Sequence, residues 1–175
     1  LVGASDSHGT LADAGGLDVE ALIALKAGGG KLADHPKGSK LDREAVLGLA
    51  CDIWIPAARP DVVRADNVDR LDTRMMAQGA NIPCTPEAEA ALHRRGVLVL
   101  PDFIANAGGV ICAAVEYAGG GERQAFAAID EKIRANSHAV LDEAKRLGTP
   151  PRQAAVALAQ RRVRGALGLR RWGPR

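Results

Sequence analysis

The sequence predicts an α/β chain: a parallel sheet with helices on both faces, incomplete on its N-terminal side and followed by two long helices. Three observations carry this. Short apolar, β-branched runs alternate with stretches of helical spacing, the pattern of strand–helix–strand units. The runs hand over to the following segments through turns built on Gly, Asn and Pro. After Gly119-Gly120-Gly121 the alternation stops and amphipathic helical periodicity takes over. The chain therefore divides into a sheet-bearing part (residues 1–118), a helical segment (119–167) and a tail (168–175). Right-handed crossovers are expected between parallel strands.

Residues 1–5 read as a short strand with Asp6 at its end, and Asp13-Ala14-Gly15-Gly16 reads as a turn. In residues 17–27, Leu17, Ala21, Leu22 and Leu25 fall at helical spacing, and Gly28-Gly29-Gly30 stops the helix. Residues 35–39 form a polar surface loop, and Asp42 is placed to cap a second helix over 44–49. Residues 51–56 are the next strand, ended by Pro56, which has no N–H for a ladder. A short helix over 67–71 precedes a strand over 74–78. Thr85-Pro86-Glu87 is a helix start with cap, first-turn proline and acid in order, and that helix runs to Arg95 before Gly96. Residues 97–100 are a strand, and 110–117 read as a buried helix. The two long helices are 122–147, with Phe126, Ile129, Ile133, Val140, Leu141 and Ala144 on a stripe, and 152–167 after Pro150-Pro151.

Composition excludes several function classes. With 47% apolar and 25% charged residues, 175 residues can bury a real core. A net charge of +2 gives no polyanion-binding surface, and 3% aromatics leave no stacking platform for nucleic acid. No run reaches the roughly 18–20 apolar residues of a membrane span. Cys51, Cys84 and Cys112 are odd in number and far apart, which predicts no zinc site or disulfide framework but a reducing cytoplasm with thiols as apolar fillers. The first residue is Leu1, inside a strand, so the chain reads as a segment of a longer protein.

The chemistry concentrates where strands end. The stretch from Pro101 to Ala113 joins the strand 97–100 to the helix 110–117, so Asn106 lies at the carboxyl edge of the sheet, where open α/β sheets bind ligands. Its amide offers donor and acceptor, enough for a carboxamide or a ribose hydroxyl. Gly108 and Gly109 would let a flat ring approach the backbone. A plainer reading is that Gly-Gly only permits tight packing and Asn106 only caps a helix. Asn81, after Gly79, is a second amide at a strand end, and Ala57-Ala58 are small residues at a third. Asp6, at the tip of a strand, suits ribose hydroxyls and would repel a 2′-phosphate, while His8 and Lys26 nearby keep the phosphate possible; the alternative is an aspartate that merely caps its own turn.

Four blocks then resemble one family. Ala4-Ser5-Asp6-Ser7-His8-Gly9, Cys51-Asp52-Ile53-Trp54-Ile55-Pro56-Ala57-Ala58, the stretch from Gln78 to Ala88 and the stretch from Pro101 to Val110 follow the order and spacing of the glutamate/leucine/phenylalanine/valine dehydrogenases, across residues 1–167. The resemblance implies a Rossmann-like domain for NAD, with NADP possible, and oxidative deamination of an L-amino acid to a 2-oxo acid and ammonia. It implies Asp6 on the adenosine ribose, Ala57 and Ala58 on a ribose, Asn81 and Asn106 on the nicotinamide side, and Val110 and Ala113 toward the substrate. It implies a homo-oligomer and a separate N-terminal substrate domain carrying the catalytic lysine and aspartate; no residue here is matched to those two. The family's Gly-x-Gly-x-x-Gly turn is absent too, and by family order belongs upstream of Leu1. Two departures stand out. Ala113 replaces a serine common in glutamate-using members, which admits an apolar amino acid, and Gln78 replaces a common glutamate. The competing reading is a non-catalytic remnant or interaction module that kept the sheet and lost turnover.

Overall fold

The computed structural model describes residues 1–168, so the tail read over 169–175 lies outside the described residues. The chain forms two compact units, Leu1–Asp52 with Ala65–Arg74, and Ile53–Arg64 with Met75–Arg175.

In the first unit, β1 (Gly3–Ser5) and β2 (Thr10–Ala12) form a hairpin, with Ala4 opposite Leu11, and β3 (Ser39–Leu41) adds antiparallel to β2. This corrects the first strand, expected in the parallel sheet: among the described residues its strand partner is β2. The cause is local. Asp6 donates its N–H to Gly9 O at 2.9 Å and its carboxylate accepts the His8 N–H at 2.8 Å, an Asx-type turn that folds the chain straight back. Residues 10–12, to which the spacing assigns no element, thereby become a strand, and Ser39, at the end of the expected loop, begins another. A Cβ at Gly3 would displace the tip of the Leu49 side chain. Helix α1 (Val19–Ala27) starts at Asp18, whose side chain accepts Ala21 N–H, and stops at Gly28, followed by Gly29 at φ +78°. Leu11, Leu17, Leu22 and Leu32 form the core. Residues 43–48 form a 3₁₀ helix rather than an α-helix, and Asp42 makes no side-chain cap there.

The second sheet has the order β4-β5-β6, from β4 (Cys51–Trp54), β5 (Thr73–Ala77) and β6 (Leu98–Leu100). It is the parallel sheet predicted, with Met76 opposite Val99 and Ala77 opposite Leu100. Helix α2 (Pro86–Arg94) is capped by Thr85 and leads into β6 through Gly96 at φ +77°. The short α3 (Asp102–Ala105) and α4 (Gly108–Tyr117) follow, then α5 (Glu122–Leu147) and α6 (Pro151–Gly168). The core joins Leu100 and Ile104 to Val140, Ala144, Ala154 and Ala155, small residues that let α5 and α6 approach closely.

One expectation fails here. α4 was read as buried, yet none of its residues is; Val110 is 77% and Tyr117 95% exposed. A helix apolar on every side ordinarily demands cover on every side. Among the described residues α5 packs along one side of α4 and leaves Val110 and Tyr117 open. The stripe on α5 is likewise narrower than its sequence suggests: Ala125, Val140 and Ala144 are buried, whereas Phe126 is exposed.

Candidate functional site

In the second unit the strand ends converge as the spacing predicts. Gly79 and Ala80, just past β5, donate their N–H groups to Pro56 O, just past β4, at 3.0 and 2.8 Å. A Cβ on Gly79 would lie 3.3 Å from the Ala57 Cβ, so glycine permits this close approach. Asn106, past β6, donates through Nδ2 to Asn81 Oδ1 at 2.8 Å and to Gly79 O at 3.3 Å. The two asparagines are thus paired, with Asn81 Nδ2 and Asn106 Oδ1 left open toward solvent among the described residues. Ala58 is exposed beside Ala57.

The plainer reading holds in part: Asn106 is the C-cap of α3, its N–H on Asp102 O, and Gly108 lies against Ile129. Asn106 spends its side chain on Asn81 and Gly79, and α4 begins at Ala107 with no side-chain cap. A Cβ on Gly109 would meet nothing within 4 Å, so packing among the described residues does not require glycine there. Val110 and Ala113, one turn apart on α4, are both exposed.

The groups that hold this edge together went unassigned in the sequence. Asp102 accepts the Ile82 N–H at Oδ2, 2.8 Å, and its own N–H donates to Gln78 Oε1 at 3.0 Å. Burial would raise its pKa, but the Ile82 amide and the Arg152 guanidinium outweigh that and hold the carboxyl below its usual range. Arg152 comes from α6, 52 residues beyond the end of β6 at Leu100, which is why no local signal announces it. Burial, with Glu89 nearby, pushes the Cys84 thiol up to about 12, so it is an inert filler as expected. Among the described residues no group of His, Cys, Asp or Glu could hold a metal.

In the first unit Asp6 receives three donors: His8 N–H on Oδ1 at 2.8 Å, and Lys26 Nζ and Leu32 N–H on Oδ2, each at 3.1 Å. Burial opposes its charge, but the two backbone amides and the ammonium together hold the carboxyl far below the usual range. Asp6 does cap its turn, and Lys26 also neutralises it. A cavity of about 420 Å³ opens beside it, lined by His8, Thr10, Ala33, Lys40 and Asp42 among others.

Comparison with known proteins agrees with these motifs. The family model "Glutamate/Leucine/Phenylalanine/Valine dehydrogenase" matches residues 1–170. The chain belongs to this family. The glutamate dehydrogenase of Aeropyrum pernix is 36% identical over 182 residues, covering 98% of the chain and 44% of the relative. The NADP-specific glutamate dehydrogenase of Saccharolobus shibatae is 36% identical over 118 residues, 67% of the chain and 28% of the relative. The hetero-hexameric glutamate dehydrogenase of Thermus thermophilus, in a Leu-bound form, superposes with a TM-score of 0.81 at 29% identity, over 99% of the chain and 42% of that structure. This member of the dehydrogenase family therefore spans less than half the length of the curated relatives it matches. No helix among the described residues is long and apolar enough to cross a membrane.

Proposed function

We propose that the chain is the cofactor-binding part of an NAD(P)-dependent amino-acid dehydrogenase, which converts an L-amino acid to a 2-oxo acid and ammonia. The Asn81–Asn106 pair carries this reading: two amides at adjacent strand ends, each with an unused polar atom, suit a ligand that presents both a donor and an acceptor. A nicotinamide carboxamide and its ribose present those groups, and the open backbone at Gly109 leaves room for a flat ring. When bound, the dinucleotide supplies the hydride acceptor. The residues of this chain orient it: Asn81 and Asn106 at the nicotinamide end, Ala57 and Ala58 by backbone approach, Asp6 at the adenosine ribose. Proton movement at the substrate belongs to a separate N-terminal domain, and the working enzyme is a soluble cytoplasmic oligomer. Residues 1–118 would then be the dinucleotide-binding part and 119–167 the helical segment that returns toward that other domain.

NAD is favoured, with NADP admitted. Asp6 would repel a 2′-phosphate, but Lys26 neutralises it and keeps two further N–H donors. On the substrate side, Val110 and Ala113 form an apolar strip on α4. A missing hydroxyl at Ala113 removes a hydrogen bond to a charged carboxylate worth about 1.5–3 kcal/mol, which tilts preference from glutamate toward an apolar amino acid.

The test is the coding sequence upstream of Leu1. It is expected to encode a Gly-x-Gly-x-x-Gly turn, preceded by a domain with glycine-flanked lysines. A start codon at or just before Leu1 would overturn the catalytic reading. The chain alone should show no turnover and weak or no dinucleotide binding; micromolar affinity by calorimetry would contradict that.

A further inference from the structure

The hydrogen bonds behind the Asn81–Asn106 pair lead to a cluster that the proposed chemistry does not use. Its centre is Arg152, in the first turn of α6. Nε donates to Glu89 Oε2 on α2 at 2.8 Å. Nη2 donates to Gln78 Oε1, just past β5, at 2.8 Å, and lies 3.0 Å from Asp102 Oδ1 on α3 as an ion pair. The guanidinium also covers the Phe103 ring, with Cζ 5.5 Å from its centroid. A planar fork with several fixed donors can hydrogen-bond two acceptors, hold a carboxylate as an ion pair and stack on a ring at once, whereas an ammonium cannot.

The other oxygen of Asp102 leads back to the site. It accepts the N–H of Ile82, which sits at φ +42°. A β-branched residue seldom adopts that conformation, and it persists only where the surroundings over-determine it. Two contacts do so here: Asp102 on the N–H, and the Asp61 N–H on Ile82 O at 3.0 Å. Asn81 is the residue immediately before this turn. Gln78 fits the same arrangement. Its Oε1 accepts both Arg152 and the Asp102 N–H, and as a neutral amide it adds no third carboxylate to Glu89 and Asp102 around one guanidinium.

We propose that Arg152 is a positioning residue: by fixing Asp102 it holds the strained Ile82 turn, and so keeps Asn81 opposite Asn106. The importance of that pair for a dinucleotide rests on the function proposed above; the brace itself does not.

The experiment is amide hydrogen exchange by NMR on the 175-residue chain, carrying Ile53→Lys throughout to keep it monomeric and with no cofactor present, with no further change and with Arg152→Lys or Asp102→Asn added. In both variants exchange of the Ile82 N–H and the Asn106 side-chain amide should rise at least about tenfold, while the amides of α5 keep the rates of the Ile53→Lys parent. Unchanged rates at Ile82 and Asn106 would overturn the proposal. So would a uniform rise everywhere, which would mean that Arg152 supports the fold at large. If either variant fails to fold, the Ile53→Lys parent decides in low urea. There the Arg152 Nε–H and the Ile82 N–H should open in one step with the same urea dependence, and Ile82 opening well before Arg152 would refute the brace. A dinucleotide titration of the assembled dehydrogenase, upstream domain included, that leaves the Asn81 and Asn106 signals unmoved would remove the cofactor reading while leaving the exchange result standing.

Discussion

On the carboxylate of Asp6 three donors converge, and only one of them, Lys26, carries a charge that a side-chain change can remove. Lys26→Ala leaves the negative charge uncompensated against a 2′-phosphate. In the assembled dehydrogenase, kcat/KM for NADP relative to NAD should fall by about tenfold or more, the scale of one charge-assisted hydrogen bond. An unchanged ratio would remove both residues from the ribose site. Asn106→Ala deletes the donor to Asn81, and KM for the dinucleotide should rise about tenfold for a bond worth roughly 1 kcal/mol plus the lost contact. Asp102 makes a pH prediction. Its folded pKa lies below the unfolded value of about 3.9, so its stabilisation is complete above roughly pH 5 and disappears as pH falls through the folded pKa. Thermal melts of Asp102→Asn against wild type should therefore differ most above roughly pH 5 and converge as the pH falls through the folded pKa; a constant gap would deny the linkage.

At the scale of elements, end signals decided more than periodicity did. The start of α2 shows this best, because Thr85 and Pro86 fix it by local chemistry alone. Gly148 does the same at the end of α5, at φ +64° with its N–H on Ala144 O. Gly148→Ala places a Cβ in the left-handed region at about 1–2 kcal/mol, which should lower the melting temperature by roughly 2–8 °C for a chain of this size; calorimetry reads it directly. Periodicity misled at α4, where apolar residues all round implied burial that the described residues do not provide. It was silent at residues 10–12 and 40–41, where the turn closed by Asp6 lets three short segments pair as antiparallel strands.

For the whole molecule the consequence lies at sheet edges. β4 ends its sheet in the order β4-β5-β6, and Ile53 and Ile55 on and beside it are more than half exposed. Among the described residues this is an apolar outer strand, and such a strand is a template for another. The isolated chain should therefore self-associate at tens of micromolar in light-scattering chromatography, and Ile53→Lys should shift it toward monomer. A monodisperse monomer with Ile53 intact would show that the edge is already protected.

The α/β class, the parallel strand–helix alternation, the two long helices and the strand-end asparagines were all legible in the sequence. Each rests on interactions between residues near in the chain, where spacing and end chemistry suffice. Three things were decided only by tertiary structure. The Asp6 turn folded β1 into an antiparallel hairpin, α4 stayed open on its Val110 and Tyr117 side among the described residues, and Arg152 reached Gln78, 74 residues away, to meet Glu89 and Asp102. A charged side chain in a helix looks the same in sequence whether it faces water or anchors a buried cluster. What distinguishes the two is the set of acceptors that distant segments bring to it, and only the folded chain contains that set.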